Sequence, residues 1–346
     1  MNLDAQARRA AAALHDSADA VDPIGRLRDL SALERRRART QVALAFVLLL
    51  GLVAVAGLLV GRRDLPVVGP VPSRATIHVG QQPTLVVIGQ GAVWVANKGD
   101  SSVSRIDPQT NRVVATIPVP DGVADLAVGR DAIWAAGDLV VRIDPQTNRV
   151  VATVWLGAQP AGLAVTDDAV WVTNVVDGTI TRIDPQTNQV TARIRTVGEP
   201  VQVAANDRTV WVAYPPDNLV RRIDPTTNNV VATLKVAQPQ DLALGFGSVW
   251  IPSGRSGLVV RIDPQTNIAT SSIRVAGKPS TIAVGAGAVW VKQSDPTSVQ
   301  RIDPQTNTVT ATVPVASGLY GMAVDDHWLW TVEFLGDTVT RLQLPN

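Results

Sequence analysis

Acid–base residues are scarce in the large C-terminal part of this 346-residue chain. Residues 74–346 contain two histidines, His78 and His327, and two glutamates, Glu199 and Glu333. The last histidine and the last glutamate lie at opposite ends of one predicted strand, which would separate them by roughly 17–20 Å. General acid–base catalysis needs groups within hydrogen-bond reach of the reacting proton, directly or through one water. We therefore expect no catalytic pair here, and the pattern favours a binding protein over an enzyme.

Other catalytic and cofactor chemistries lack their sequence signatures. The chain has no cysteine, which excludes disulfides, thiolate metal sites and a cysteine nucleophile. It has no Gly-x-Ser-x-Gly motif, no phosphate-binding loop and no histidine cluster for a transition metal. We predict no cofactor and no metal; the alternative is an oxygen-only Ca²⁺ or Mg²⁺ site built from Asp125, Asp241 and loop carbonyls. The 31 basic and 30 acidic residues leave no basic footprint, so we expect no nucleic-acid partner.

One seven-residue motif recurs through the region that must position any site. The motif Arg-Ile-Asp-Pro-x-Thr-Asn begins at Arg105, Arg142, Arg182, Arg222, Arg261 and Arg301, with a degenerate copy at Arg341. One tryptophan accompanies each copy, at positions 94, 134, 171, 211, 250, 290 and 330. A period of about 40 residues with four strand-like segments is typical of a β-propeller. The sequence therefore predicts an all-β fold over residues 74–346, a seven-bladed β-propeller with four strands per blade.

A single repeat contains the four predicted strands. They are residues 162–165, 169–174, 179–184 and 189–194, short runs rich in Val, Ile, Thr and Trp. In the Asp-Pro-x-Thr-Asn turn, Asp can cap the turn, Pro fixes φ and Asn tolerates the left-handed region. The Arg and Asp of each motif lie two residues apart on one face of a strand, so we expect them to pair within or between blades. We expect the tryptophans to fill the space between neighbouring blades.

The two ends of the repeat array complement each other. The array begins with an outer strand at 75–79 and ends with a third strand at 338–342, so the last blade lacks an outer strand of its own. If the first segment supplies that strand, the ring closes and the exposed strand edges are covered. We therefore predict a propeller closed by its N-terminal strand.

Three stretches carry a family resemblance: WVTN (171–174), DGTITRIDPQTNQV (177–190) and VVATIPV (113–119). They resemble the YVTN-type repeats of seven-bladed propellers, which include virginiamycin B lyase-like proteins, and the resemblance covers nearly all of 74–346. The lyase relatives use His and Glu with magnesium. The resemblance therefore implies, as the alternative function, a lyase or hydrolase acting at the mouth of the propeller channel.

A binding site is expected where the blades differ, because a residue common to every blade serves the blade. Polar or aromatic side chains that vary between blades occur where second strands end and inner strands begin. We predict that these form a ligand-binding surface over the channel mouth: Asn97, Asp125, Asn174, Gln202, Tyr214, Asp241, Lys292 and Glu333. Lys98, Arg255, Tyr320 and Phe334 add charge and aromatic surface nearby. The alternative is that these are solvated loop ends without a ligand.

A membrane anchor is predicted ahead of the propeller. Residues 41–61 carry no charge, and the apolar run 42–60 would span about 28 Å as a helix. Six arginines lie between 26 and 39, against two just after the run, which favours a cytoplasmic N-terminus and a propeller outside the cell. A cleaved signal peptide is the alternative, but its apolar core would be shorter. We therefore predict a short cytoplasmic segment (1–40), a single-pass signal anchor in the cell membrane (41–61) and a Pro-rich linker (62–73).

These predictions combine into one functional hypothesis. We expect a membrane-anchored, extracytoplasmic propeller that binds a partner protein, a cell-wall polymer or another surface ligand. Transmission of a binding event through the anchor to residues 1–40 is a further alternative.

Overall fold

Seven antiparallel sheets of four strands each make up the part of the chain that the computed structural model describes. That part is residues 74–345 without 121, 158 and 296. The predicted cytoplasmic segment, anchor and linker lie outside the described residues. Among the residues that are described, no helix is long and apolar enough to cross a membrane. The seven-bladed, all-β propeller predicted from the repeats is confirmed.

Each sheet is one blade, and its strands follow the chain outward from the axis, where inner strands of neighbouring blades meet. The first strand, β1 (Arg74–His78), belongs to the last blade. Blade 1 contains β2 (Pro83–Gly89), β3 (Ala92–Asn97), β4 (Ser102–Asp107) and β5 (Arg112–Pro118). Blade 2 contains β6 (Asp125–Val128), β7 (Ile133–Ala136), β8 (Val140–Asp144) and β9 (Arg149–Val154). Blade 3 contains β10 (Pro160–Val165), β11 (Val170–Asn174), β12 (Thr179–Asp184) and β13 (Gln189–Arg195), matching the strands predicted for this repeat.

The remaining blades repeat the pattern. Blade 4 contains β14 (Gln202–Asn206), β15 (Thr209–Tyr214), β16 (Leu219–Ile223) and β17 (Val230–Lys235). Blade 5 contains β18 (Ala243–Gly245), β19 (Ser248–Ser253), β20 (Leu258–Asp263) and β21 (Ile268–Arg274). Blade 6 contains β22 (Pro279–Gly285), β23 (Ala288–Ser294), β24 (Thr297–Asp303) and β25 (Thr308–Pro314). Blade 7 contains β26 (Leu319–Val324), β27 (Trp328–Glu333) and β28 (Thr338–Gln343), with β1 outermost.

The ring closes as the sequence predicted. Strand β1 pairs antiparallel with β28, with Arg74 opposite Leu342 and His78 opposite Thr338. Blade 7 is thus built from the first and the last strands of the propeller, and hydrogen bonds across this pair lock the ring.

The tryptophans predicted between blades are all fully buried. Trp94 of blade 1 packs in one apolar cluster with Leu126, Ile133 and Val141 of blade 2. A large ring on the second strand fills the space that widens between neighbouring blades away from the axis, so the core consists of the blade-to-blade interfaces.

The Asp-Pro turn joins the third strand of a blade to its outer strand and has the predicted conformation. Asn111, at the end of the first such turn, has a φ of 55°, and its counterparts in the other five motifs have φ values of 56–59°. Asp107 accepts a hydrogen bond from the backbone N–H of Gln109 and one from the hydroxyl of Thr110. These bonds favour the carboxylate and lower the pKa of Asp107.

The predicted pairing of Arg with Asp inside the motif is wrong. Arg105 Nη1 instead donates to the carbonyl of Pro145 (2.8 Å) and to Asn148 Oδ1 (2.9 Å) in the Asp-Pro turn of blade 2. Its guanidinium lies 5.3 Å from the ring centroid of Trp94 in its own blade. Asp107 is already hydrogen-bonded within its turn, and Arg105 reaches across the blade boundary instead. Arg341 makes the same contacts from blade 7 to Pro108 and Asn111 of blade 1.

Candidate functional site

Antiparallel connectivity gives the propeller two different ends. The Asp-Pro turns and the short turns between inner and second strands share one end, which we call the turn end. The loops from second to third strands, and from each outer strand to the next inner strand, share the other, which we call the channel-mouth end. The eight residues predicted to bind a ligand all lie at the channel-mouth end, seven of them near the end of a strand and Asp241 in the loop that precedes β18.

Asn97 and Asn174 end the second strands of blades 1 and 3, and neither has any exposed surface. Asn174 Nδ2 donates to the hydroxyls of Thr179 (3.0 Å) and Thr181 (2.9 Å) on the third strand of its own blade. Asn97 makes the same pair of bonds with the serines five and seven residues later. These side chains hold two strands of a blade together and offer no surface to a ligand.

The same arrangement, which we call the strand staple, occurs in blades 6 and 7. Gln293 bonds the side chains of residues 298 and 300. Glu333 accepts hydrogen bonds from Thr338 (3.4 Å) and Thr340 (2.7 Å). In all four blades the partners follow by five and seven residues. The sequence prediction missed this role because it considered only the residue that ends the second strand. The signal that could have revealed it is a hydroxyl or amide side chain at both the fifth and the seventh residue after that position.

Tyr214 is also buried, in the apolar cluster between blades 3 and 4. Its hydroxyl donates to Thr196 Oγ1 at 2.9 Å, and the Arg221 guanidinium lies 4.4 Å from its ring centroid. Burial raises the pKa of Tyr214. Tyr214 thus stands where other blades have a strand staple, but its hydroxyl joins blade 4 to the loop that follows the outer strand of blade 3, and an arginine covers its ring.

Asp125 and Asp241 link neighbouring inner strands around the axis. Asp125 accepts from the backbone N–H of Leu126 (2.8 Å) in its own blade and from that of Leu163 (2.7 Å) in blade 3. Asp241 links blades 5 and 6 in the same way through Leu242 and Ile282. Burial raises the pKa of Asp125 to about 7 and that of Asp241 to about 6. The charge of Asp241 adds a smaller contribution to the rise in the pKa of Asp125.

The two remaining predicted residues keep exposed surface. Gln202 is half-buried, and within the described residues its side chain forms no hydrogen bond. Lys292 donates from Nζ to the carbonyl oxygen of Tyr320 (3.3 Å) and lies 5.9 Å from that ring's centroid. Tyr320 stacks on Phe334 with centroids 5.3 Å apart. Gln202 and Lys292 therefore remain in the predicted surface with the exposed parts of Tyr320 and Phe334.

The histidines and glutamates of the described residues do not come together as a magnesium site or an acid–base pair. His78 is exposed on an outermost strand, while His327 and Glu333 lie at opposite ends of β27. No three His, Asp or Glu side chains of the described residues come together as metal ligands. The oxygens of Asp125 and Asp241 already accept backbone hydrogen bonds. The donor set for the magnesium that the lyase resemblance implies is therefore not assembled by the described residues.

Comparison with known proteins identifies a family. The model of the virginiamycin B lyase family matches residues 147–345, more than half of the chain. No curated protein matches the chain.

Three solved structures that match the chain have the same fold but share little sequence with it. The structure of U3-55K has 13% identity and a TM-score of 0.69, and the match covers 78% of this chain and 98% of that one. Hydrazine synthase of Kuenenia stuttgartiensis has 14% identity and a TM-score of 0.68, with 82% and 99% covered. The WD40 repeats of RRP9 have 13% identity and a TM-score of 0.69, with 80% and 99% covered. At these identities the likeness concerns the fold alone.

Proposed function

Since this chain belongs to the virginiamycin B lyase family, we propose that it uses the propeller of that family as a membrane-anchored binding module. The propeller lies outside the cell and captures a partner protein through its channel-mouth end. The uncharged run 41–61 and its arginine-rich N-terminal flank support the anchor and its orientation.

The position of exposed apolar side chains carries this proposal. Among the large hydrophobic residues described, the four most exposed are Trp155 (75%), Val176 (74%), Val197 (83%) and Leu335 (88%). All four lie on loops of the channel-mouth end, and none lies in a strand. Exposed apolar surface gathered at one end of a molecule is typical of a protein-interaction site.

Three of these residues occupy neighbouring loops of blades 2 and 3. Val175 N–H donates to the carbonyl of Gln159, joining the loop of Val176 to the loop that begins with Trp155. Thr196 N–H donates to the carbonyl of Gly178, joining the loop of Val197 to the same group. The backbone bonds hold these loops in place, so the apolar side chains present a pre-formed surface.

The binding test compares exposed apolar residues on the channel-mouth loops with exposed apolar residues on the outer strands. Trp155→Ser with Val197→Ser should abolish recovery of the partner by the full-length protein after cross-linking in intact cells. The matched control is Val114→Ser with Ile268→Ser, which removes exposed apolar groups from outer strands (55% and 61% exposed). Equal recovery by both double variants would refute the proposal, and a cell-wall polymer recovered in place of a protein would replace the partner class.

Topology has its own test. Protease added to intact cells should digest the propeller, and inside-out vesicles should protect it. The opposite pattern would reverse the proposed orientation, and release of the propeller into a soluble fraction would contradict the anchor.

The second candidate function is a lyase or hydrolase at the channel mouth. The observation in its favour is Asp125, a buried carboxyl whose pKa of about 7 suits a general base. The full-length protein with Mg²⁺ should not turn over lactones or other cyclic esters if the binding proposal holds. Turnover that is lost in Asp125→Asn and retained in Glu333→Gln would establish the enzymatic alternative.

A further inference from the structure

A lysine and two aromatic rings meet at the channel mouth, at the boundary between blades 6 and 7. Lys292 lies on the second strand of blade 6, Tyr320 on the inner strand of blade 7 and Phe334 on a loop of blade 7. Tyr320 remains 56% exposed although it stacks on Phe334. We call these three residues the blade 6–7 subsite.

The positive charge of Lys292 is not needed for the blade contact it makes. Thr173 occupies the corresponding place in blade 3, two residues after the blade tryptophan, and its hydroxyl donates to Val201 O at 2.8 Å. Val201 corresponds to Tyr320, the carbonyl acceptor of Lys292. A neutral hydroxyl thus makes in blade 3 the contact for which blade 6 uses an ammonium.

The ammonium also lacks a carboxylate partner within the described residues. Its one hydrogen bond goes to a neutral carbonyl, and the ion pairs found elsewhere in the propeller do not include it. Burial lowers the pKa of Lys292, and no neighbouring acid opposes that effect. A half-buried cation without a counter-charge favours binding of an anion from outside the molecule.

The adjacent rings define what the anion is attached to. Tyr320 offers an exposed ring within 5.9 Å of the Lys292 ammonium, and Phe334 extends the aromatic surface. Flat rings stack on such a surface in offset geometry. We propose that the blade 6–7 subsite binds an aromatic ring that carries a carboxylate on a short linker, with the ring on Tyr320 and the carboxylate at Lys292. This inference rests on the proposed function, because it names the chemistry recognised by part of the channel-mouth end.

Binding of 2-naphthylacetate to the full-length protein, followed by saturation-transfer NMR or calorimetry, tests the subsite. The neutral isostere 2-naphthylacetamide should bind about tenfold more weakly, because it loses the charge-assisted hydrogen bond. Lys292→Thr copies blade 3 and should remove the preference for the anion while leaving amide binding unchanged. Tyr320→Ala should weaken both probes. Lys235→Met, which removes an exposed lysine at the channel-mouth end of β17, is the control and should change neither.

Equal affinity for the two probes, or a preference for the anion that survives Lys292→Thr, overturns the inference. If that happens while Trp155→Ser with Val197→Ser still abolishes partner recovery, the subsite is wrong and the binding module stands. If naphthylacetate binds and also reduces recovery of the partner after cross-linking, the ring and carboxylate recognised by the subsite belong to the partner protein. If naphthylacetate binds and partner recovery is unchanged, the ring and carboxylate belong to a free small molecule.

Discussion

The turn end and the channel-mouth end are made by the same 28 strands, yet their side chains serve different purposes. At the turn end, one motif is repeated, and each Asp and Asn has the same place in each turn. At the channel-mouth end, strand staples, buried acids, an aromatic pair and exposed apolar loops alternate around the ring. The comparison teaches that residues repeated in every blade hold the propeller together. Residues that vary between blades are of two kinds: some make internal hydrogen bonds that differ from blade to blade, and others remain exposed and can contact a partner.

The largest expected effect comes from breaking the turn end at the ring closure. Arg341→Met removes the bonds to Pro108 and Asn111 and the stacking over Trp330. We expect the free energy of unfolding to fall by about 3 kcal/mol, since a charge-assisted bond and a cation–π contact are both lost. Urea unfolding measures it, with exposed Arg112→Met as the control. Partner binding should persist in the folded variant, and an unchanged unfolding midpoint would contradict the bridging role.

Breaking a strand staple should lower stability, as breaking a turn-end contact does, although the strand staple lies at the channel-mouth end. Asn174→Ala leaves the hydroxyls of Thr179 and Thr181 without their buried donor, so stability should fall by about 2 kcal/mol. Partner and probe affinities should stay the same, because Asn174 has no exposed surface. A weaker affinity at unchanged stability would return this residue to the binding site. Gln202→Ala, at a half-buried position of the same end where the side chain forms no hydrogen bond with a described residue, should leave stability unchanged.

The buried acids should make stability depend on pH. The pKa of Asp125 in the folded protein, about 7, exceeds the ordinary value of 3.8, so the folded state keeps a proton that the unfolded state releases. The contribution of this proton is complete below about pH 4 and is lost as the pH rises through about 7. For one proton, the free energy of unfolding changes by at most about 1.4 kcal/mol per pH unit. Urea midpoints between pH 4 and 8 should decline less in Asp125→Asn than in the unaltered protein. Identical slopes would be inconsistent with a protonated Asp125.

The smallest effect is expected for Glu333→Gln. Blade 6 already has a glutamine in this position, and the ion pair of Glu333 with Arg74 is long (3.4 Å) and half-exposed. Stability should change by less than about 0.5 kcal/mol. Calorimetric melting of the two proteins makes the comparison, and a large loss would mean that the carboxylate does more than staple two strands.

Much of the fold was predictable because its signals are local. Strand patterns, the turn chemistry of Asp, Pro and Asn, and the tryptophan period each lie within one repeat. Even the ring closure could be predicted, since only the first segment could complete the last blade. The destination of the motif arginine could not, because it depends on the distance between an Arg and a turn some 40 residues later in a neighbouring blade.

The candidate site was less predictable for a related reason. Exposure decides whether a polar side chain meets a ligand, and exposure depends on what neighbouring strands provide. In sequence, Asn174 and Lys292 are both polar residues near strand ends. In the structure Asn174 is fully buried and bonded to two threonines, whereas Lys292 is half-buried next to the exposed ring of Tyr320. Burial and hydrogen-bond partners separated them, and neither follows from residue type alone.

The closure of blade 7 also determines how the chain can fold during synthesis. Strand β1 leaves the ribosome before every other strand of the propeller, and its partner β28 follows about 260 residues later, after roughly 15–50 s of translation. Blades 1 to 6 can form in order as they emerge, whereas blade 7 must wait until β28 has been synthesised. Until then β1 is an unpaired edge, and a nascent chain arrested before Thr338 would carry that edge into contact with its neighbours on the same polysome.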